Sequence, residues 1–202
     1  MLITGGQYYS DILPSLLYSP GEGWRELPAI PVKTFFHCQV TKGDTTYIIG
    51  GNIYYGMTSD SYRSVKQGGE WEKIAPMQTP RGHHACVVWD DNIVVIGGYG
   101  GPSWKESGLL SSVESYDPAT NEWTTMTPLP ALIMSMQAVV YKDTLYALSG
   151  DYKNGERTTQ NNLVYQLKPG DDQWSVVPDV SLNVRKRGVF PSVIFDNLHC
   201  KK

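Results

Sequence analysis

The chain has 202 residues and a formal net charge of −3, enough length to bury a core and too little charge for a nucleic-acid or anionic-membrane partner. Its 20 glycines, 13 prolines, 13 tyrosines and 6 tryptophans, with no sustained helical periodicity, favour an all-β protein rich in turns. The opening stretch MLITGGQYYS has no basic flank before an apolar run, so neither secretion nor membrane insertion is signalled. Three cysteines, Cys38, Cys86 and Cys200, are an odd count, which favours a reducing, cytoplasmic setting with the cysteines as small buried hydrophobes.

In chain order, the first unit runs over residues 1–30. It begins at Leu2-Ile3-Thr4 before the pair Gly5-Gly6, continues through Tyr18-Ser19-Pro20, and reaches Trp24. The second, over 31–78, has its glycine pair at Gly50-Gly51 and its tryptophan at Trp71. The third, over 79–130, is the most complete. Runs of β-branched and aromatic residues bounded by turn formers predict strands at about His84 to Trp89, Ile93 to Ile96, Val113 to Tyr116 and Glu122 to Met126. The fourth, over 131–180, weakens the pair to Ser149-Gly150 and ends on Trp174. A partial fifth unit over 181–202 holds an apolar run from Val189 to Phe195 and a second from Leu198. Glycine pairs and tryptophans thus repeat in phase at about fifty residues, the mark of a modular array. Glycines allow close backbone approach and positive φ, and each tryptophan is a large apolar body with one donor to place.

Thr79-Pro80-Arg81-Gly82-His83-His84, then IVVIGG, then VESYDPATNEW, then Met126 and Pro128 resemble a complete kelch repeat. The resemblance implies a kelch-type β-propeller over 1–202, with about four blades of four-stranded antiparallel sheet, partial or incompletely closed. The first unit lacks its innermost strand. The chain is then a fragment of a larger propeller, or a small ring in which Val189 to Phe195 supplies the strand that precedes Leu2. The likeness extends to kelch-like proteins in which a BTB domain precedes the propeller and recruits a cullin-3 ubiquitin ligase, the propeller selecting the substrate. No stretch here resembles a BTB domain. The resemblance implies a non-catalytic module binding a protein or peptide. The alternatives are an actin or cytoskeletal scaffold and a kelch-propeller enzyme of the oxidase or sugar-epimerase kind.

If strands alternate in direction, the loops after the glycine pairs and those between blades share one face, where propellers usually bind. The candidate partner-binding residues are Tyr54, Tyr55, Arg81, Tyr99, Trp104, Lys105, Tyr152 and Arg157, because exposed aromatics and cations make interface hot spots. The competing reading has the first aromatic after each glycine pair packed on a neighbouring blade, and Arg81 bonded to carbonyls within the fold. His37 and His84 fall in register on innermost strands with Cys38, His83 and Cys86 nearby. Strand alternation sends adjacent residues to opposite faces, which argues against a metal centre. Gly97-Gly98-Tyr99-Gly100-Gly101 lacks the Lys-Ser/Thr and helix of a phosphate loop. No nucleophile elbow or catalytic carboxylate pair emerges, so neither enzyme activity nor a cofactor is expected.

Overall fold

The computed structural model describes residues 2–3, 7–8, 11–12, 14–66, 69–154, 157–160 and 162–178. The fifth unit, with its choice between fragment and ring closure, lies outside them, as do Gly5, Gly6 and Cys200.

Each apolar run becomes a strand and each turn cluster a reversal, so every blade is an antiparallel meander. Blade two runs Cys38–Lys42, Thr45–Ile49, Ser61–Val65 and Trp71–Ile74. Blade three runs Ala85–Trp89, Asn92–Ile96, Val113–Asp117 and Glu122–Met126. Blade four runs Gln137–Tyr141, Thr144–Leu148, Val164–Leu167 and Ser175–Val176. In blade one the described strands are Leu2–Ile3, Ser15–Ser19 and Gly23–Leu27. The inner strands of blades two, three and four pack side by side, which sets the blades radially around their inner edges.

The core lies between blades. Along Asn92–Ile96, Ile93 and Val95 join Tyr47, Ile49 and Tyr116 in the seam with blade two, while Val94 and Ile96 join Leu145, Ala147 and Trp174 in the seam with blade four. One strand serves two seams because successive side chains point to opposite faces. That explains why this run is continuously apolar rather than alternating. At about 25 cal/mol per Å² of apolar surface removed from water, each large side chain in a seam contributes on the order of 1.5–3 kcal/mol.

The glycine pairs stitch neighbouring blades together. The amide of Gly51 donates to the carbonyl of Arg81, and that of Gly98 to the carbonyl of Ile133, both at 2.8 Å. These pairs lie at positive φ, and a Cβ on Gly98 would stand 2.7 Å from the carbonyl oxygen of Gly82. Only glycine tolerates both conditions. The outer turn of blade three behaves as its composition predicts: Asp117 accepts from the amide of Ala119 at 2.7 Å, and the Tyr116 hydroxyl donates to Asn121 at 2.9 Å.

One expectation is corrected here. Cys38 and Cys86 are not separate buried hydrophobes but form a disulfide, with Cα atoms 6.0 Å apart. It joins the inner strands of blades two and three and closes a loop that contains blade two.

Candidate protein-interaction face

The loops after the glycine pairs are not irregular. They fold into small second sheets with the segments that lead into each blade. Asn52–Ile53 pairs with Gly56–Met57 in a hairpin, and Phe35 bridges to Asn52. Arg81–Gly82, Tyr99–Gly100 and Gly108–Leu109 form a three-stranded sheet, as do Ile133–Met134, Asp151–Asn154 and Arg157–Gln160. The two loop classes therefore share one face, in hydrogen-bonded contact.

Tyr54 and Tyr55 form the turn of the first hairpin. They are 78% and 83% exposed, and their rings meet edge to face at 4.6 Å. Beside that hairpin stand Phe35 and Phe36, both exposed, with ring centroids 5.4 Å apart. Phe36 also stacks on His83 of the next loop at 3.9 Å. Burial holds the His83 imidazole below the ordinary histidine range, so the stacked ring is neutral at physiological pH. Phe36 and His83 both have φ 55 and Ser135 has φ 54, each at the same place just before an inner strand. The amide of His83 donates to Phe36 and that of Ser135 to His83, at 3.0 and 2.7 Å. Left-handed backbone at a phenylalanine is strained, and this row of bonds from blade to blade holds it there.

Of the eight residues singled out in the sequence, Tyr54 and Tyr55 are thus fully presented. Lys105 is exposed in the short 3-10 turn Trp104–Glu106. Tyr99 is half-buried, its hydroxyl beside the hydroxyl and carbonyl of Ser107. Tyr152 and Arg157 lie on the paired strands Asp151–Asn154 and Arg157–Gln160, and the backbone of Trp104 lies in the 3-10 turn. The side chains of these three lie outside the described parts.

Arg81 must be reassigned. It has no exposed surface. Its guanidinium donates to the carbonyls of Thr79, Gly97 and Ser112, the Ser112 hydroxyl and the Glu114 carboxylate. Glu114 in turn accepts the amides of Gln78 and Thr79 at 2.7 and 3.1 Å. Burial lowers the arginine pKa and Glu114 opposes that shift. All donors of the fork are engaged within the fold, so Arg81 offers nothing to a partner. The further loop arginines, Arg185 and Arg187, lie outside the described residues.

The histidine cluster is also structural in character. Burial, reinforced by the charges of Arg81 and His37, pushes the pKa of His84 down to about 3, and burial lowers that of His37. Among the described residues, no group of three His, Cys, Asp or Glu could hold a metal. Phe35, Phe36 and His83 are aromatic residues of this face that sequence reasoning did not single out as candidate contacts. The signal available was register, since Phe36 and His83 occupy one repeat position.

Comparison with known proteins agrees with this architecture. Residues 80–130 match the Kelch motif family. Kelch-like protein 36 of Mus musculus is 30% identical over 185 residues, covering 86% of this chain and 29% of the relative. Kelch-like protein 41a of Danio rerio is 32% identical over 160 residues, covering 75% and 26%. Alpha-scruin of Limulus polyphemus is 28% identical over 127 residues, covering 61% and 13%. The chain therefore spans less than a third of the length of these relatives. In fold, it resembles the solved structure of YjhT with a TM-score of 0.64 at 21% identity, covering 77% of this chain and 54% of that one. With its glycine sutures, interblade tryptophans and four antiparallel meanders, the chain is a kelch-repeat β-propeller protein, similar to the kelch-like proteins.

Proposed function

We propose that this chain is a non-catalytic interaction module that takes a protein or peptide on its loop face, at the aromatic patch made by Tyr54, Tyr55, Phe35 and Phe36. The observation that carries the reading is the exposure of Tyr54 and Tyr55 at 78% and 83% on a hairpin whose backbone is bonded to the neighbouring loop. Rigid, amphipathic rings held in water are the anchors that interfaces use. The neutral His83 beside Phe36 extends the patch toward the inner edge of the blades. Trp104 and Lys105 on the blade-three loop, and Tyr152 and Arg157 on the blade-four hairpin, complete the proposed contacts.

In this reading the propeller selects a substrate, and a cullin-3 ubiquitin ligase would be recruited through a BTB domain, which no part of these residues resembles. A cytoplasmic setting belongs to the same proposal and rests on the likeness to kelch-like proteins, because the Cys38–Cys86 disulfide removes the argument from unpaired cysteines; among the described residues no helix is long and apolar enough to cross a membrane. The test is affinity capture from lysate with the wild-type chain beside Tyr54→Ala/Tyr55→Ala and Trp104→Ala/Arg157→Ala variants. A discrete set of proteins lost with the variants is expected. Identical capture by all three chains would sink the proposal. The actin-scaffold alternative predicts instead that the chain co-sediments with purified filaments.

A further inference from the structure

The disulfide between Cys38 and Cys86 stands where the repeat has no place for one. At the next seam, between blades three and four, the matching positions are Ala85 and Ala138. Ala85 lies in the apolar core of that seam and Ala138 packs against it, with the two inner strands side by side. Small side chains alone therefore close a seam of this kind, and the cross-link between blades two and three is an addition to it.

Its position ties it to the loop face. Cys38 opens the inner strand of blade two, two residues after Phe36, and Cys86 follows His83 by three. The His83 amide donates to the Phe36 carbonyl at 3.0 Å, and the two rings stack at 3.9 Å. Disulfide and hydrogen bond are thus neighbouring rungs between the same two segments. The connection continues through Phe35, which exchanges two backbone hydrogen bonds with Asn52, at 3.0 and 2.7 Å. Asn52 begins the hairpin that carries Tyr54 and Tyr55. Phe36 is held at φ 55, and a strained segment is the one that moves when a restraint is removed.

We infer that the Cys38–Cys86 disulfide is a redox-operated clasp on the aromatic patch: closed, it holds the Phe36–His83 stack in place, and reduced, it frees that segment and weakens partner binding. The inference rests on the loop-face reading and the cytoplasmic setting proposed above. Disulfides in cytoplasmic proteins are few and mostly redox-responsive. Opening is thiol–disulfide exchange with glutathione. Its thiolate attacks the sulfur of Cys86, which is only partly buried, and Cys38 leaves as a thiolate that takes up a proton. A second glutathione resolves the mixed disulfide, so two electrons pass to the cysteines and glutathione disulfide departs. Closing is the reverse reaction.

Three measurements on the full chain test this. Alkylation of the native chain after equilibration with reduced glutathione should find free thiols on the peptides carrying Cys38 and Cys86, and glutathione disulfide should close them again. By hydrogen exchange, the His83 amide should exchange at least about tenfold faster in the reduced chain and in Cys38→Ser/Cys86→Ser than in the oxidised chain. The Gly98 amide, bonded across the next seam to Ile133, should change by less than about twofold. In capture from lysate, the proteins lost with Tyr54→Ala/Tyr55→Ala should also be lost with Cys38→Ser/Cys86→Ser. A pair that glutathione leaves intact is a static brace, and the inference fails. It fails also if both amides speed up by the same factor, since reduction then only lowers overall stability, or if neither changes. Proteins lost with the tyrosine variant but kept by the serine variant would overturn the clasp and leave the loop-face reading intact. Proteins kept by both would overturn that reading and the clasp together.

Discussion

Arg81 and the Tyr54–Tyr55 pair lie on adjoining loops of the same face, yet they serve opposite ends. Arg81 is a long, hydrated cation that the fold has withdrawn from water entirely and bonded at every nitrogen. The tyrosines are large apolar rings left in water, touching each other. Residue type alone predicts the reverse. The difference teaches that a cation in a blade-to-blade loop is spent on the seam when a carboxylate from the next meander, here Glu114, is in reach. Aromatic residues at a hairpin tip have no seam to enter and remain available.

The comparison breaks most easily at Arg81. Arg81→Ala leaves the Glu114 carboxylate buried without its charge partner and should destabilise the fold by about 3–5 kcal/mol, read from urea unfolding. Replacing both partners by apolar residues, Arg81→Met/Glu114→Leu, should recover much of that loss, because the burial of two charges disappears with the pair. A double variant as unstable as the single would mean that the carbonyl bonds to Gly97 and Ser112 carry the effect instead.

Next in size is the disulfide between the inner strands. Reduction, or Cys38→Ser/Cys86→Ser, should lower stability by about 2–4 kcal/mol by releasing the loop that encloses blade two. Thermal unfolding with and without dithiothreitol measures it, and the double variant should no longer respond to the reductant.

These two features also mark where the sequence stops being legible. Blade-three strands stand where the alternation of apolar and turn residues puts them, because glycine pairs, Asp117 and the tryptophans are local markers at fixed places along the repeat. Arg81 does not, since its fate depends on Glu114, which lies on another strand of the same blade. The disulfide was hidden for a related reason. In the repeat, Cys38 matches Ala85 and Cys86 matches Gln39, so register sets the cysteines apart. Inner strands of neighbouring blades pack side by side with a stagger that the repeat length does not encode. The small second sheets were hidden too, because two-residue strands are stabilised by the neighbouring segment rather than by their own composition.

An effect that is smaller only over the first pH unit of acidification comes from His84, inside the boundary like Arg81 but neutral. Its pKa is held at about 3 by burial and by the nearby charges of Arg81 and His37, against about 6.5 in the unfolded chain. The unfolded state therefore binds more protons between those values. The stability due to the neutral ring is fully present above about pH 6.5 and declines as pH falls toward 3, by about 1.4 kcal/mol per pH unit. His84→Met installs the residue found at the same position of blade four, Met136, and should flatten that part of the stability–pH curve. An unchanged slope in the variant would assign the acid sensitivity to other groups.

The smallest effect on folding is expected where the largest effect on binding is proposed. Tyr54→Ala/Tyr55→Ala removes two rings that bury almost nothing, so unfolding free energy should change by no more than about 0.5 kcal/mol. The hairpin backbone is held by Asn52–Ile53 pairing with Gly56–Met57 and by the bridge to Phe35, none of which needs the tyrosine side chains. A loss of partner capture at constant stability would separate recognition from architecture on this face. A drop of several kcal/mol would instead show that the tyrosines pack on the fold in solution, and the aromatic patch would lose its role as the docking site.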